Sequence, residues 1–192
     1  MTAKTAIAAN SPTPEFARLR HKISWICHSL RFATVAYAVW VFYLVLALWL
    51  DTDKLHQALE HLIHTNVSAL APWQRWTGLS IDLGLWATAS IACYCGWRLF
   101  STYLEGRIFS VEAARWMQRV ASWGIITQVM SIALRPLFTL VLTAHLPPAE
   151  RQAHLVLQPN DLLTLLLLLS LLALAHIQRA GAEIAAEHAQ II

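Results

Sequence analysis

The chain has 192 residues, of which 57% are hydrophobic and only 13% are Asp, Glu, Lys or Arg, and its formal net charge is +3. A soluble domain carries charge at about a quarter of its positions, so this chain has too few polar side chains to cover a compact body in water. Its high hydrophobicity and low net charge also exclude a disordered chain. An integral membrane protein is the class that remains.

Four long apolar segments predict four transmembrane helices. A helix needs about 20 mostly apolar residues to cross about 30 Å of hydrocarbon. The segments cover residues 32–50, 79–100, 120–142 and 162–177. They are continuous apolar runs without the alternation of membrane strands. The predicted fold is therefore all-α, a polytopic membrane protein whose membrane domain, residues 32–177, is an antiparallel four-helix bundle.

The basic residues predict how the spans are oriented, because Lys and Arg near span ends stay in the cytoplasm. Ten of them lie before the first span, between the second and third spans, or after the fourth, and three lie in the other two loops. Both termini and the middle loop are therefore expected in the cytoplasm. The ten are Lys4, Arg18, Arg20, Lys22, Arg31, Arg98, Arg107, Arg115, Arg119 and Arg179; the three are Lys54, Arg75 and Arg151.

Three segments are predicted outside the bilayer on the cytoplasmic side. Residues 1–14 form a flexible tail, residues 15–31 an amphipathic helix, and residues 178–192 a C-terminal helix. In the helix at 15–31, apolar residues recur every three or four positions and basic residues lie off that stripe. Two interpretations remain open: a positively charged helix lying on anionic headgroups, or a docking face for a cytoplasmic protein.

The middle loop is predicted to be a tight helical hairpin. Its sequence, from Tyr103 to Glu112, is YLEGRIFSVE. Gly106 can end one helix in the left-handed conformation, and Ser110 can cap the next, whose positive N-terminal end favours Glu112.

The stretch YLEGRIFSVEAARWMQRV resembles the Y-x-x-G-x-I-F-[ST]-x-E segment of an uncharacterised family of four-helix bacterial membrane proteins, domain of unknown function 2975. The Leu-rich last span and the tail resemble that family's closing segment, and the likeness extends from about Leu30 to the end. The resemblance implies membrane-level control of transcription, because family members are often paired with a small helix-turn-helix regulator. The residues expected to bind such a partner are Gly106, Arg107, Phe109, Arg115 and Trp116.

Apart from Arg98 at the end of the second span, two charged residues lie within predicted spans, Asp82 in the second and Arg135 in the third. A charge at such a depth costs several kcal/mol unless it is paired or reaches water. The two residues lie at similar depths from the same membrane surface, and a long Arg side chain can bridge the difference. We predict an ion pair between Asp82 and Arg135; a proton-linked or ligand-linked switch is the alternative.

A His-rich segment in the first loop suggests a metal site. His56, Glu60 and His64 are four residues apart and would share one face of a helix, where zinc or copper could bind. The alternative is an ordinary amphipathic helix on the membrane surface whose polar face is rich in His.

Together these patterns favour a regulatory or interaction protein without catalytic residues or a cofactor. The partners expected are the lipid bilayer, a small cytoplasmic DNA-binding regulator and a second copy of the chain, with no direct nucleic-acid binding. The runner-up function is an extracytoplasmic metal or pH sensor that uses the His-rich loop.

Overall fold

The fold is all-helical in the part of the chain that the computed structural model describes. The described residues are 14–52, 54–55, 71–108, 110–144 and 157–188. Their four long helices are α1 (Pro14–Leu50), α2 (Pro72–Leu104), α3 (Val111–Leu142) and α4 (Pro159–His188). Each has 30 to 37 residues, so each is about 45–55 Å long and exceeds the hydrocarbon thickness.

Each helix contains a segment long and apolar enough to span a membrane. These segments are Ser24–Leu50, Pro72–Leu104, Val111–Leu142 and Pro159–Ile184. The predicted four-span, all-α fold is therefore confirmed, and the chain is a multi-pass membrane protein.

The helices extend beyond the predicted spans. The helix predicted at 15–31 and the first span form one continuous helix, α1, since no Gly or Pro interrupts residues 15–50. The last span likewise continues as a helix to His188. The second helix begins at Pro72, seven residues before the predicted start at Leu79, because proline fits the first helical turn.

Helices that follow one another in the chain pack against each other: α1 on α2, α2 on α3, and α3 on α4. Small residues permit close approach at these contacts, and Ala113, Ala121 and Ala175 are completely buried. Gly78 is the tightest point, since a Cβ atom there would lie 2.1 Å from Cη2 of Trp49.

Large apolar side chains cover much of the outer surface. Phe32 is 77% exposed, and Trp40 and Leu166 are each 62% exposed. So much exposed apolar surface is unfavourable in water and suits hydrocarbon.

The two ends of the bundle are formed by different helix termini and connections. The turn end holds the α2–α3 connection, the start of α1 and the last turns of α4. The loop end holds the end of α1, the start of α2, the end of α3 and the start of α4. One apolar cluster lies at each end, around Trp49 and Leu142 at the loop end and around Leu99 and Met117 toward the turn end.

Candidate functional site

The α2–α3 hairpin at the turn end has the geometry that its sequence predicts. Gly106 has a φ of 81°, in the left-handed region that favours glycine. The Ser110 side chain accepts a hydrogen bond from the backbone N–H of Ala113 at 3.1 Å and so caps α3. Both predictions about the hairpin are confirmed. The Ser110 hydroxyl also donates to the carbonyl of Arg107 at 2.9 Å, which closes the turn.

Arg107 forms ion pairs within the hairpin. Its guanidinium donates to Glu112 at 2.7 Å and also to the carboxylate of Glu105. The hydrogen bond to Glu105, together with the charges of Glu112 and Glu105, raises the pKa of Arg107 above its ordinary value. The hairpin surface therefore carries charges of both signs.

Trp116, predicted as a partner-binding residue, is partly buried and packs against side chains of α2 and α3. Its ring centroid is 4.5 Å from the guanidinium carbon of Arg119 and 5.2 Å from that of Arg98. The ring of Tyr94 meets it edge-on, with the centroids 6.5 Å apart. Arg115, the neighbouring residue, is exposed. Phe109 lies outside the described residues.

The last turns of α4 join the hairpin. The side-chain amide of Gln178 donates to the backbone carbonyl of Ile108 at 2.8 Å. The next residue, Arg179, pairs with Glu183, one turn further along, at 2.9 Å, and Ile184 is 56% exposed. We call the accessible side chains here the turn-end surface: Glu105, Arg107, Arg115, Arg179, Glu183 and Ile184.

Polar contacts between helices enclose Trp49 at the loop end. Its indole N–H donates to the carboxylate of Asp82 at 2.7 Å, and the residue is only 2% exposed. Arg75, two turns before Asp82, donates to the backbone carbonyl of Trp49 at 2.9 Å. These bonds hold the last turn of α1 against the first turns of α2.

A second polar cluster joins α3 to α4 and contains an ion pair other than the predicted one. The Arg135 guanidinium donates to both carboxylate oxygens of Asp161, at 2.6 and 2.8 Å. Gln128 donates to the same carboxylate at 2.9 Å. The predicted pairing of Arg135 with Asp82 is therefore wrong, because Arg135 leans toward α4 while the described partner of Asp82 is Trp49 on α1.

Sequence reasoning missed Asp161 and Gln74. Asp161 is 4% exposed and directly precedes the predicted fourth span, so the span prediction places it in the loop. Its place in the first turn after Pro159 is a usable signal, since acidic residues favour helix N-termini. Gln74 is fully buried and donates to the carbonyl of Val141 at 2.8 Å, which ties the start of α2 to the end of α3. No local pattern reveals that contact.

The predicted metal ligands His56, Glu60 and His64 lie outside the described residues. Within the described ranges, no three His, Cys, Asp or Glu side chains are grouped so that they could hold a metal ion. The His-rich site stays a prediction.

The fold and its polar clusters define a four-helix, multi-pass membrane protein. The chain belongs to a family of proteins of unknown function, DUF2975, whose model matches residues 5–192. No curated protein and no solved structure is significantly similar to it.

Proposed function

We propose that the chain is a non-catalytic protein of the bacterial inner membrane whose turn end faces the cytoplasm and binds a small DNA-binding regulator. The observation that carries the proposal is the hydrogen bond from Gln178 to the carbonyl of Ile108. It fixes the last turns of α4 against the hairpin, so that two segments distant in sequence form one surface. Ten Lys and Arg residues on this side, against three on the other, support its cytoplasmic location.

The charge pattern of the turn-end surface favours a protein partner over anionic lipid. A surface that binds lipid by charge is basic throughout, and each basic residue contributes about 1 kcal/mol. Here Glu105 and Glu112 pair with Arg107, and Glu183 pairs with Arg179. Alternating charges beside an exposed apolar residue, Ile184, suit the complementary rim and apolar centre of a protein interface.

A charge-reversal pair tests the proposal. Arg115→Glu changes an exposed residue of the turn-end surface, and Lys54→Glu makes the same charge change at an exposed loop-end residue, which forms an exposed ion pair with Asp51. Both avoid Trp116, whose replacement would disturb packing between helices. We expect the parent and Lys54→Glu proteins, purified from membranes after cross-linking in cells, to carry a DNA-binding protein that the Arg115→Glu protein loses. Transcription of the regulator's targets should change only with Arg115→Glu.

The proposal fails if no DNA-binding protein is cross-linked to the parent. It also fails if both variants retain the same partner. Stoichiometric zinc or copper on the purified protein would then favour a sensor based on His56, Glu60 and His64.

A further inference from the structure

A groove between α1 and α2 opens onto the lipid-facing surface of the bundle. Its volume is about 370 Å³, and its walls include Val35, Ala38 and Val39 from α1 and Ser90, Tyr94 and Trp97 from α2. The lining is almost entirely apolar. Val35, Val39 and Tyr94 are each more than half exposed, so the groove is open to a molecule in the bilayer.

A cation lies at the end of this groove nearer the turn end. The guanidinium carbon of Arg31 is 4.5 Å from the ring centroid of Trp97. Stacking on an aromatic face engages the plane of the guanidinium and leaves its N–H edge directed outward. That edge suits the bidentate binding of a phosphate.

Arg31 belongs to a belt of arginines and aromatic rings that crosses three helices. Trp97 stacks near Tyr94, Tyr94 meets Trp116 edge-on, and Trp116 lies beneath Arg98 and Arg119. Among the described residues, no carboxylate lies within 4.0 Å of Arg31, Arg98 or Arg119. The belt therefore carries positive charge that the described chain does not neutralise, unlike Arg107, Arg135 and Arg179.

We propose that this groove binds one anionic phospholipid, with its phosphate at Arg31 and an acyl chain along the apolar walls. The direction of the groove matches the orientation of a lipid in the bilayer. From Trp97 to Ser90 the groove runs along seven residues of α2, about 10 Å, toward the middle of the bilayer. A lipid whose headgroup lies at the level of Arg31 extends its chain in that direction.

Ser90 lies at the inner end of the groove. Its hydroxyl oxygen is buried and has no hydrogen-bond partner among the described residues. Other serines and threonines of these helices, including Thr88 and Ser101, donate to a carbonyl three or four residues earlier. Because this oxygen is buried and lies about 10 Å from the level of Arg31, it does not contact the headgroup, and Ser90 forms only part of the wall beside the acyl chain.

The test uses the full-length protein in mild detergent, with equal amounts of an anionic phosphatidylglycerol and a phosphatidylcholine of matched chains. Native mass spectrometry measures which lipid stays bound. We expect the parent to retain one phosphatidylglycerol. Arg31→Gln should weaken its binding about tenfold, because it removes the charge-assisted hydrogen bonds to the phosphate. Ala38→Leu should also reduce occupancy by filling the groove.

Two controls make the same chemical changes elsewhere. Arg115→Gln removes an exposed arginine outside the belt, and Ala133→Leu enlarges an exposed alanine on α3. Both should bind the lipid as the parent does. If Ala38→Leu does not fold, the comparison of Arg31→Gln with Arg115→Gln decides alone.

Equal retention of the two lipids by the parent would overturn the inference. So would equal binding by Arg31→Gln and Arg115→Gln, or a lipid-free dimer of the parent in which a second copy covers the groove. The inference does not depend on which side of the membrane the turn end faces.

Discussion

The two ends of the bundle are built from different kinds of polar contact. At the loop end the buried bonds join different helices, across 33 residues for Trp49 and Asp82 and 67 for Gln74 and Val141, whereas the exposed pair of Lys54 and Asp51 is local. At the turn end most are local, such as the five-residue separation of Arg107 and Glu112. The loop-end groups are largely buried, whereas the turn-end ion pairs are about half exposed.

We infer from this difference that the loop end contributes more to stability and that the turn end is the better surface for interaction. A buried polar group that loses its partner leaves an unsatisfied atom in a medium without water, so the loop-end contacts should be costly to break. An exposed ion pair contributes little to stability, because water screens it and both side chains lose freedom. The turn end can therefore change its surface with little cost to folding.

The largest effect is expected from Asp161→Asn at the loop end. It removes the negative charge that faces Arg135 within the helices, and the midpoint of thermal unfolding in detergent should fall more than for any other variant here. Asp82→Asn is the matched control. An amide oxygen can still accept from the Trp49 indole, so its loss should be smaller.

A double variant sharpens that result. Arg135→Gln combined with Asp161→Asn should recover part of the stability that Asp161→Asn loses, because the unmatched charge is gone. If the loss of stability in the double variant equals the sum of the losses in the two single variants, the two side chains do not stabilise the bundle as a pair.

Gly78→Ala should give the next largest loss. The added Cβ would lie 2.1 Å from the Trp49 ring, which its bond to Asp82 holds in place, and the overpacking should cost about 2 kcal/mol. Gly84→Ala is the control on the same helix, since nothing lies within 4 Å of its added Cβ. If both variants melt at the same temperature, Trp49 does not occupy this position.

Gly106→Ala should have a smaller effect at the turn end. A residue with a side chain costs about 1–2 kcal/mol in the left-handed conformation, so we expect a loss of about 1 kcal/mol. Hydrogen exchange should increase around residues 104–108 and stay unchanged at the loop end. Faster exchange throughout the bundle would contradict the independence of the two ends.

Arg107→Gln should have the smallest effect. Its ion pairs with Glu105 and Glu112 are about half exposed, and we expect no measurable change in the unfolding midpoint. An unfolding midpoint as low as that of Asp161→Asn would show that the exposed ion pairs of the turn end stabilise the bundle as much as the buried pair of the loop end.

The same difference explains what the sequence could predict. The four spans follow from continuous apolar runs, and the hairpin follows from Gly106 and Ser110, because these signals act within a few residues. The partner of Arg135 could not be found in this way. Asp82 and Asp161 are both acidic residues near its depth, and only the packing of α3 on α4 decides between them.

Trp49 and Trp116 illustrate the same limit. Tryptophan near a span end is typical of a ring at the membrane interface, or of an exposed anchor for a partner. Both rings pack against neighbouring helices, since Gly78 leaves room for Trp49, and Trp116 lies beside two arginines. Neither contact has a signature in the local sequence.

We propose that the turn end is the cytoplasmic, interacting end of the molecule. Fusion of a reporter that is active only in the cytoplasm tests it directly, at four positions along the chain. We expect activity after residue 110 and at the C-terminus, and none after residues 65 and 150. Activity after residues 65 and 150, with none at the other two positions, would contradict the account.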